Sequence, residues 1–140
     1  MNTGHEGSVA TLHANSTEDA IVRLSTLASM SDLNVPYDAL RDQINSAIDV
    51  IVQLTRTVDG QRKVAEVAVV ASQRRERFRL ATVAGFKPNP IGPDRRTTGR
   101  FAHFPLPETV RQRLLLSGEE IAREFSEAAE APVAPEREAV

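Results

Sequence analysis

The sequence predicts an α/β protein built from a short strand, two amphipathic helices, a three-stranded antiparallel meander and C-terminal helices. Three observations carry this prediction. From Ala20 to Ile48 the apolar residues recur at intervals of three and four, as on a helix buried along one stripe. From Val50 onward they recur at every second residue, the period of a strand with one face inward. Between two such alternating runs stands Asp59-Gly60, a pair that tolerates the backbone angles of a hairpin turn.

The elements follow in order. "SVATLH", residues 8–13, alternates apolar and polar around β-branched residues and predicts a strand. Asn15 and Ser16 then offer N-cap oxygens, with Glu18 and Asp19 three residues beyond them in a capping-box arrangement. The helix behind the cap carries Ala20, Ile21, Leu24, Leu27 and Ala28 on one stripe. "SDLNVP" interrupts it, and Pro36 suits the start of a second helix with Leu40, Ile44, Ala47 and Ile48 inward. "DVIVQLTRTV" predicts a strand with Val50, Val52 and Leu54 on one face, "KVAEVAVVAS" its hairpin partner, and "ERFRLATV" a third strand.

"KPNPIGPDRRTTG", residues 87–99, holds three prolines and predicts a loop or linker. Beyond it, residues 100–128 predict a helical segment, with Val110, Leu114 and Leu115 on one stripe. The tail, 129–140, is rich in Pro, Ala and Glu and predicts no packed structure. The organisation is thus a main unit over 1–86, a linker over 87–99, a helical segment over 100–128 and a tail.

Composition narrows the function classes. The chain has 140 residues, enough for one modest core, and its scarcity of aromatics makes that core aliphatic. It contains no cysteine, which excludes disulfides, thiolate metal sites and thiol nucleophiles and suits a reducing cytoplasm. No apolar run is long enough to span a bilayer. The net charge of −2 is uneven: residues 118–140 carry −5, leaving +3 on the rest. This overall balance argues against a general nucleic-acid binder.

The segment richest in chemistry is "TGHEGSVATLHANS", residues 3–16. Spacing alone leaves several readings open. A zinc site wants three or four ligands, whereas His5 and His13 lie eight apart with a strand between them and His103 is distant. A general base at His5 or Glu6 needs a nucleophile and an orienting group, for which Thr3, Ser8 and Thr11 are the available hydroxyls. The histidines would serve equally as turn filler. Finally, a strand running into a helix start sets imidazole, amide and hydroxyl groups beside free helix N–H donors, a corner that attracts phosphate.

This run resembles the His box of the secretion ATPases of the type II/type IV superfamily, most closely the tight-adherence branch of CpaF/TadA-like proteins. Thr3 to Ser16 follow that pattern without a gap. The likeness continues through two helices to the strand–"DG"–strand hairpin, with Asp19, Arg23, Leu24, Gln43, Ile44, Ala47, Asp49, Val52 and Gly60 in matching places, and covers roughly residues 2–80. The resemblance implies the C-terminal part of a RecA-like P-loop ATPase domain. It implies a homo-hexameric motor that uses ATP and Mg2+ to drive protein export or pilus assembly. Its expected partners are the other subunits and inner-membrane platform proteins, and its expected place is the cytoplasmic face of that membrane.

Carried over by position, the resemblance marks His5 and His13 as candidate phosphate sensors or relays. Thr11, Asn15 and Gly4 become candidate supports at the nucleotide. Arg23 reads as a surface residue with a possible role between subunits. No G-x-x-x-x-G-K-[ST] occurs in these 140 residues, and the only lysines are Lys63 and Lys87. The expectation is therefore a fragment whose Walker A and Walker B elements lie ahead of Met1, inactive as an ATPase on its own. The alternatives are an interaction module that docks on full-length subunits, and a metal-dependent hydrolase using His5, Glu6 and His13.

Two further stretches carry lesser signals. Phe78 among Arg74, Arg75, Arg77 and Arg79 reads as a solvated strand or, less simply, as a basic stacking patch. His103 between two phenylalanines reads as a packed side chain rather than a ligand.

Overall fold

A computed structural model describes residues 7–30, 35–73, 76–126 and 137–138. Two helices come first, α1 (Thr17–Ser29) and α2 (Tyr37–Ala47). Four strands follow: β1 (Val50–Arg56), β2 (Arg62–Val70), β3 (Arg79–Pro88) and β4 (Gly99–His103). Helix α3 (Glu108–Leu116), a 3-10 turn (Arg123–Phe125) and a two-residue β5 (Arg137–Glu138) complete the chain.

The sheet is antiparallel throughout, in the order β1-β2-β3-β4, with β5 against β3 at Arg79 and Leu80. The meander thus has one strand more than the sequence predicts. Gly99–His103, expected as the last linker residue and the start of a helical segment, is β4, because Phe86 faces Phe101 and Ala84 faces His103 across the β3–β4 ladder. His103 packs edge-on against Phe125 at 5.4 Å between ring centres.

Helices cover both faces of the sheet, each over its own core. On one side Ile21 of α1 meets Ala68, Val70, Phe78 and Leu80, with Leu24, Ile44 and Ile48 packed around them. On the other, Val110 of α3 meets Val69, Ala71, Ala81 and Val83. Phe78 is 3% exposed, so the basic stacking patch is ruled out: the ring that would stack a base lies inside the core. Leu27, expected on the inward stripe of α1, is half exposed.

Strand β1 divides the two faces unequally. Ile51 packs under α1 and α2. Val50, Val52 and Leu54 do share a face, and it is the open one, each being more than half exposed. Val50 lies opposite Val69, so this face is continuous with the α3 side, but α3 stops short of covering the edge strand. Its end is marked by a Schellman arrangement: Gly118, at φ 78°, donates to Leu115 and Glu119 donates to Leu114. The helix expected to run further is capped there.

The β1–β2 connection is not the two-residue turn that the Asp-Gly pair suggests. Arg56 pairs with Arg62, leaving five residues between the strands. Gly60 donates to the carbonyl of Thr57 and takes φ 80°, while Asp59 stays at negative φ. This is a type I turn closed by a left-handed glycine, the longer hairpin solution.

The strand expected over residues 8–13 does not form; residues 7–14 carry no regular structure. None of the described strands pairs with them. A strand exists through its ladder partner, and without one Val9 stands 98% exposed.

Candidate functional site

Although no strand forms, the period-two pattern survives as exposure. Thr11, His13 and Asn15 are exposed, while Leu12, Ala14 and Ser16 between them are half-buried. Three of the five residues singled out by the resemblance, Thr11, His13 and Asn15, are thus exposed in the segment leading into α1. The other two, His5 and Gly4, lie outside the described residues, as does Glu6.

The run is positioned at its C-terminal end. Ser16 caps α1: its Oγ accepts the Asp19 N–H at 3.0 Å, with Ser16 in the extended region at φ −146°. This is the expected cap, made by Ser16 rather than Asn15. Next to it, Thr17 is fully buried and donates to Glu66 of β2 at 3.2 Å. The other oxygen of Glu66 accepts from Thr82 of β3. Gln53 of β1 reaches across to donate to the carbonyl of Ala14 at 3.1 Å. Two strands and one helix start thus converge where the run ends.

Glu66 and Gln53 were not singled out from the sequence, although both carry a signal. Each is a polar residue flanked by apolar neighbours in its strand, and they pair directly across β1 and β2. A polar pair at that place needs partners, and Thr17, Thr82 and Ala14 supply them.

The start of α1 is not an open anion site of the kind that spacing allows. Ser16 has already taken the Asp19 N–H, and the first turn carries the acids Glu18 and Asp19. Those carboxylates already complement the helix dipole and would repel a phosphate placed on the axis. Arg23 is exposed on α1 and takes part in none of the ion pairs found among the described residues.

A nucleotide cradle does not fit the residues present. Lys63 and Lys87 stand on β2 and β3, and Lys63 lies over the Phe86 ring at 5.5 Å. Neither follows a glycine loop into a helix, the arrangement that holds phosphates in P-loop enzymes. Among the described residues no three His, Cys, Asp or Glu side chains gather as metal ligands.

The most perturbed acid lies elsewhere. Asp59 accepts from the hydroxyl of Thr57 and from the Thr97 N–H at 2.9 Å, and these bonds pull its carboxyl down to about 2. They join the β1–β2 loop to the segment before β4. Glu76 is lowered as well, first by the Gln73 N–H and then by Arg79. Both acids are structural ties.

A protein of Mycobacterium tuberculosis named for conjugal transfer is 35% identical over 83 residues, 59% of this chain and 23% of its own length. The conjugal transfer protein TrbB of Rhizobium radiobacter is 32% identical over 77 residues, 55% of this chain and 22% of its own. The type IV secretion system protein VirB11 of Bartonella quintana is 36% identical over 69 residues, 48% of this chain and 19% of its own. The chain thus spans about a fifth to a quarter of the length of these relatives. Residues 1–114, which include the His13 run, the helices and the whole β1–β4 meander, match the type II/IV secretion system protein family, and the chain belongs to that family.

Proposed function

We propose that this chain corresponds to the C-terminal part of a RecA-like P-loop ATPase domain of the CpaF/TadA-like, tight-adherence branch. In this reading "TGHEGSVATLHANS" is its His box. The intact protein is a homo-hexamer that couples ATP hydrolysis to protein export or pilus assembly. It works with Mg2+ at the cytoplasmic face of the inner membrane, against platform proteins there. The chain supplies the phosphate-reading side chains, His13 with His5, supported by Thr11, Asn15 and Gly4. The cradle for the nucleotide comes from sequence other than these residues. Alone, the chain turns over no ATP.

The observation that supports the reading best is the exposure of Thr11, His13 and Asn15 in a run anchored at its end by Ser16, Thr17 and Gln53. Donors and acceptors held beside the start of α1 could respond to a phosphate without binding a whole nucleotide. No step of hydrolysis is assigned to them.

The test is His13→Ala in an intact parent that contains this segment. Turnover should fall on the order of 100-fold while nucleotide affinity changes little. Unchanged turnover would remove the sensor role.

The exposed row of Val50, Val52 and Leu54 favours a second reading, an inactive module that docks on full-length subunits. Co-purification of the isolated chain with an intact homologous subunit, lost on Val52→Asp, would support it. Failure to co-purify would remove it.

A further inference from the structure

The end of the sheet that carries the β1–β2 loop concentrates positive charge. That hairpin brings Arg56, Arg62 and Lys63. The stretch from the end of β3 to the start of β4 brings Lys87, Arg95, Arg96 and Arg100. Only Asp59 and Asp94 oppose these seven within the two stretches, and Asp59 is already engaged by Thr57 and Thr97. The ion pairs found among the described residues involve Arg41, Arg79, Arg111 and Arg113, and none of the seven. Six of the seven are exposed, and Lys63 is partly so. In a chain of net charge −2 this is a local excess.

The two stretches are held side by side by the Asp59–Thr97 hydrogen bond, which gathers their charges at this end of the sheet. Each also exposes an aliphatic side chain: Val58 is 60% exposed and Ile91 55%. Neither packs in the two cores.

We propose that this end of the sheet docks on an anionic lipid bilayer, its cations against the headgroups and Val58 and Ile91 entering the interface. Charge complementarity selects an anionic partner, and the aliphatic tips select lipid. Single-stranded nucleic acid is gripped by successive aromatic platforms, whereas Phe101, 42% exposed beside Arg100, is tilted against Phe86 and offers one ring at most. Aliphatic groups ringed by Lys and Arg are what a headgroup layer over hydrocarbon accepts. Each cation near such a surface strengthens binding about fivefold, so several exposed ones suffice for reversible attachment. The inference deepens the membrane-face location proposed above, and it names the surface responsible.

The experiment is sedimentation of the purified 140-residue chain with vesicles of phosphatidylglycerol in phosphatidylcholine, beside vesicles of phosphatidylcholine alone. Binding to the anionic vesicles only, weakened by salt, is expected. The triple variant Arg62→Ala/Lys87→Ala/Arg96→Ala should bind about 100-fold more weakly. Val58→Asp/Ile91→Asp should lose binding with all cations kept, and unchanged thermal melts of both variants would show the fold intact. Equal binding to neutral vesicles, no binding to anionic ones, or indifference to the variants would overturn the proposal. Displacement of the bound vesicles by a short single-stranded oligonucleotide through the same cations, with Val58→Asp/Ile91→Asp without effect, would overturn it in favour of nucleic acid. If the intact parent fractionates with membranes while the isolated chain ignores vesicles, the location stands and this surface is wrong.

Discussion

Residues 7–14 and residues 57–61 are both short stretches that the sequence marks as β structure. The second forms its turn; the first forms no strand. The hairpin loop satisfies itself: Thr57 donates to Gln61, Gly60 to Thr57, and Asp59 gathers the Thr57 hydroxyl and the Thr97 N–H. Among the described residues the run receives one bond, from Gln53 to Ala14. The contrast teaches that turn chemistry is local, whereas a strand is a relation between two segments.

The largest expected effect that sharpens this contrast comes from the core. Leu80 is fully buried in the centre of the sheet, so Leu80→Ala should cost about 2–5 kcal/mol, read from denaturant midpoints. By amide exchange the variant should lose protection in β2 and β3. Residues 8–13 should exchange as fast as in the wild type, because their amides are already open. Slowly exchanging amides in that run of the wild type would break the comparison.

A smaller effect tests the anchor. Ser16→Ala removes the N-cap of α1 and should destabilise the chain by about 1 kcal/mol. It should leave the loop at 57–61 untouched. In an intact parent it should also lower turnover without the full loss predicted for His13→Ala, since it loosens the run without removing the imidazole.

The smallest effect is a pH limb. The folded carboxyl of Asp59 lies at about 2, below its ordinary 3.8. A depressed carboxylate contributes stability that is full above the unfolded value and lost as the pH falls through the folded one. The wild type should therefore lose a small increment between 3.8 and about 2 that Asp59→Asn lacks. Denaturant midpoints of the two proteins measured down that range check it, and parallel curves would show the tie between the loops to be unimportant.

Much of the architecture was legible because its causes are local. The stripes of α1 and α2, the cap at Ser16 and the alternation of β1 to β3 all follow from side-chain period and short-range hydrogen bonding. β4 was not legible: "GRFAH" shows little alternation, and it becomes a strand because Phe86 and Gly85 offer it a ladder. The supports beneath the candidate site were half legible. Thr11, His13 and Asn15 were marked by a motif, but Gln53 and Glu66 gain meaning only once their strands lie beside the run.

The sequence by itself determined the secondary-structure periods, the absence of thiol chemistry, the lack of a phosphate loop within these residues and the motif around His13. Each is a property of neighbours along the chain. Tertiary structure alone decided that the side of β1 bearing Val50, Val52 and Leu54 is the open one, that residues 8–13 have no ladder among the described residues, and that two cation-bearing stretches distant in sequence lie together at one end of the sheet. Those outcomes depend on which segments lie side by side, and burial, strand pairing and summed charge are properties of that juxtaposition.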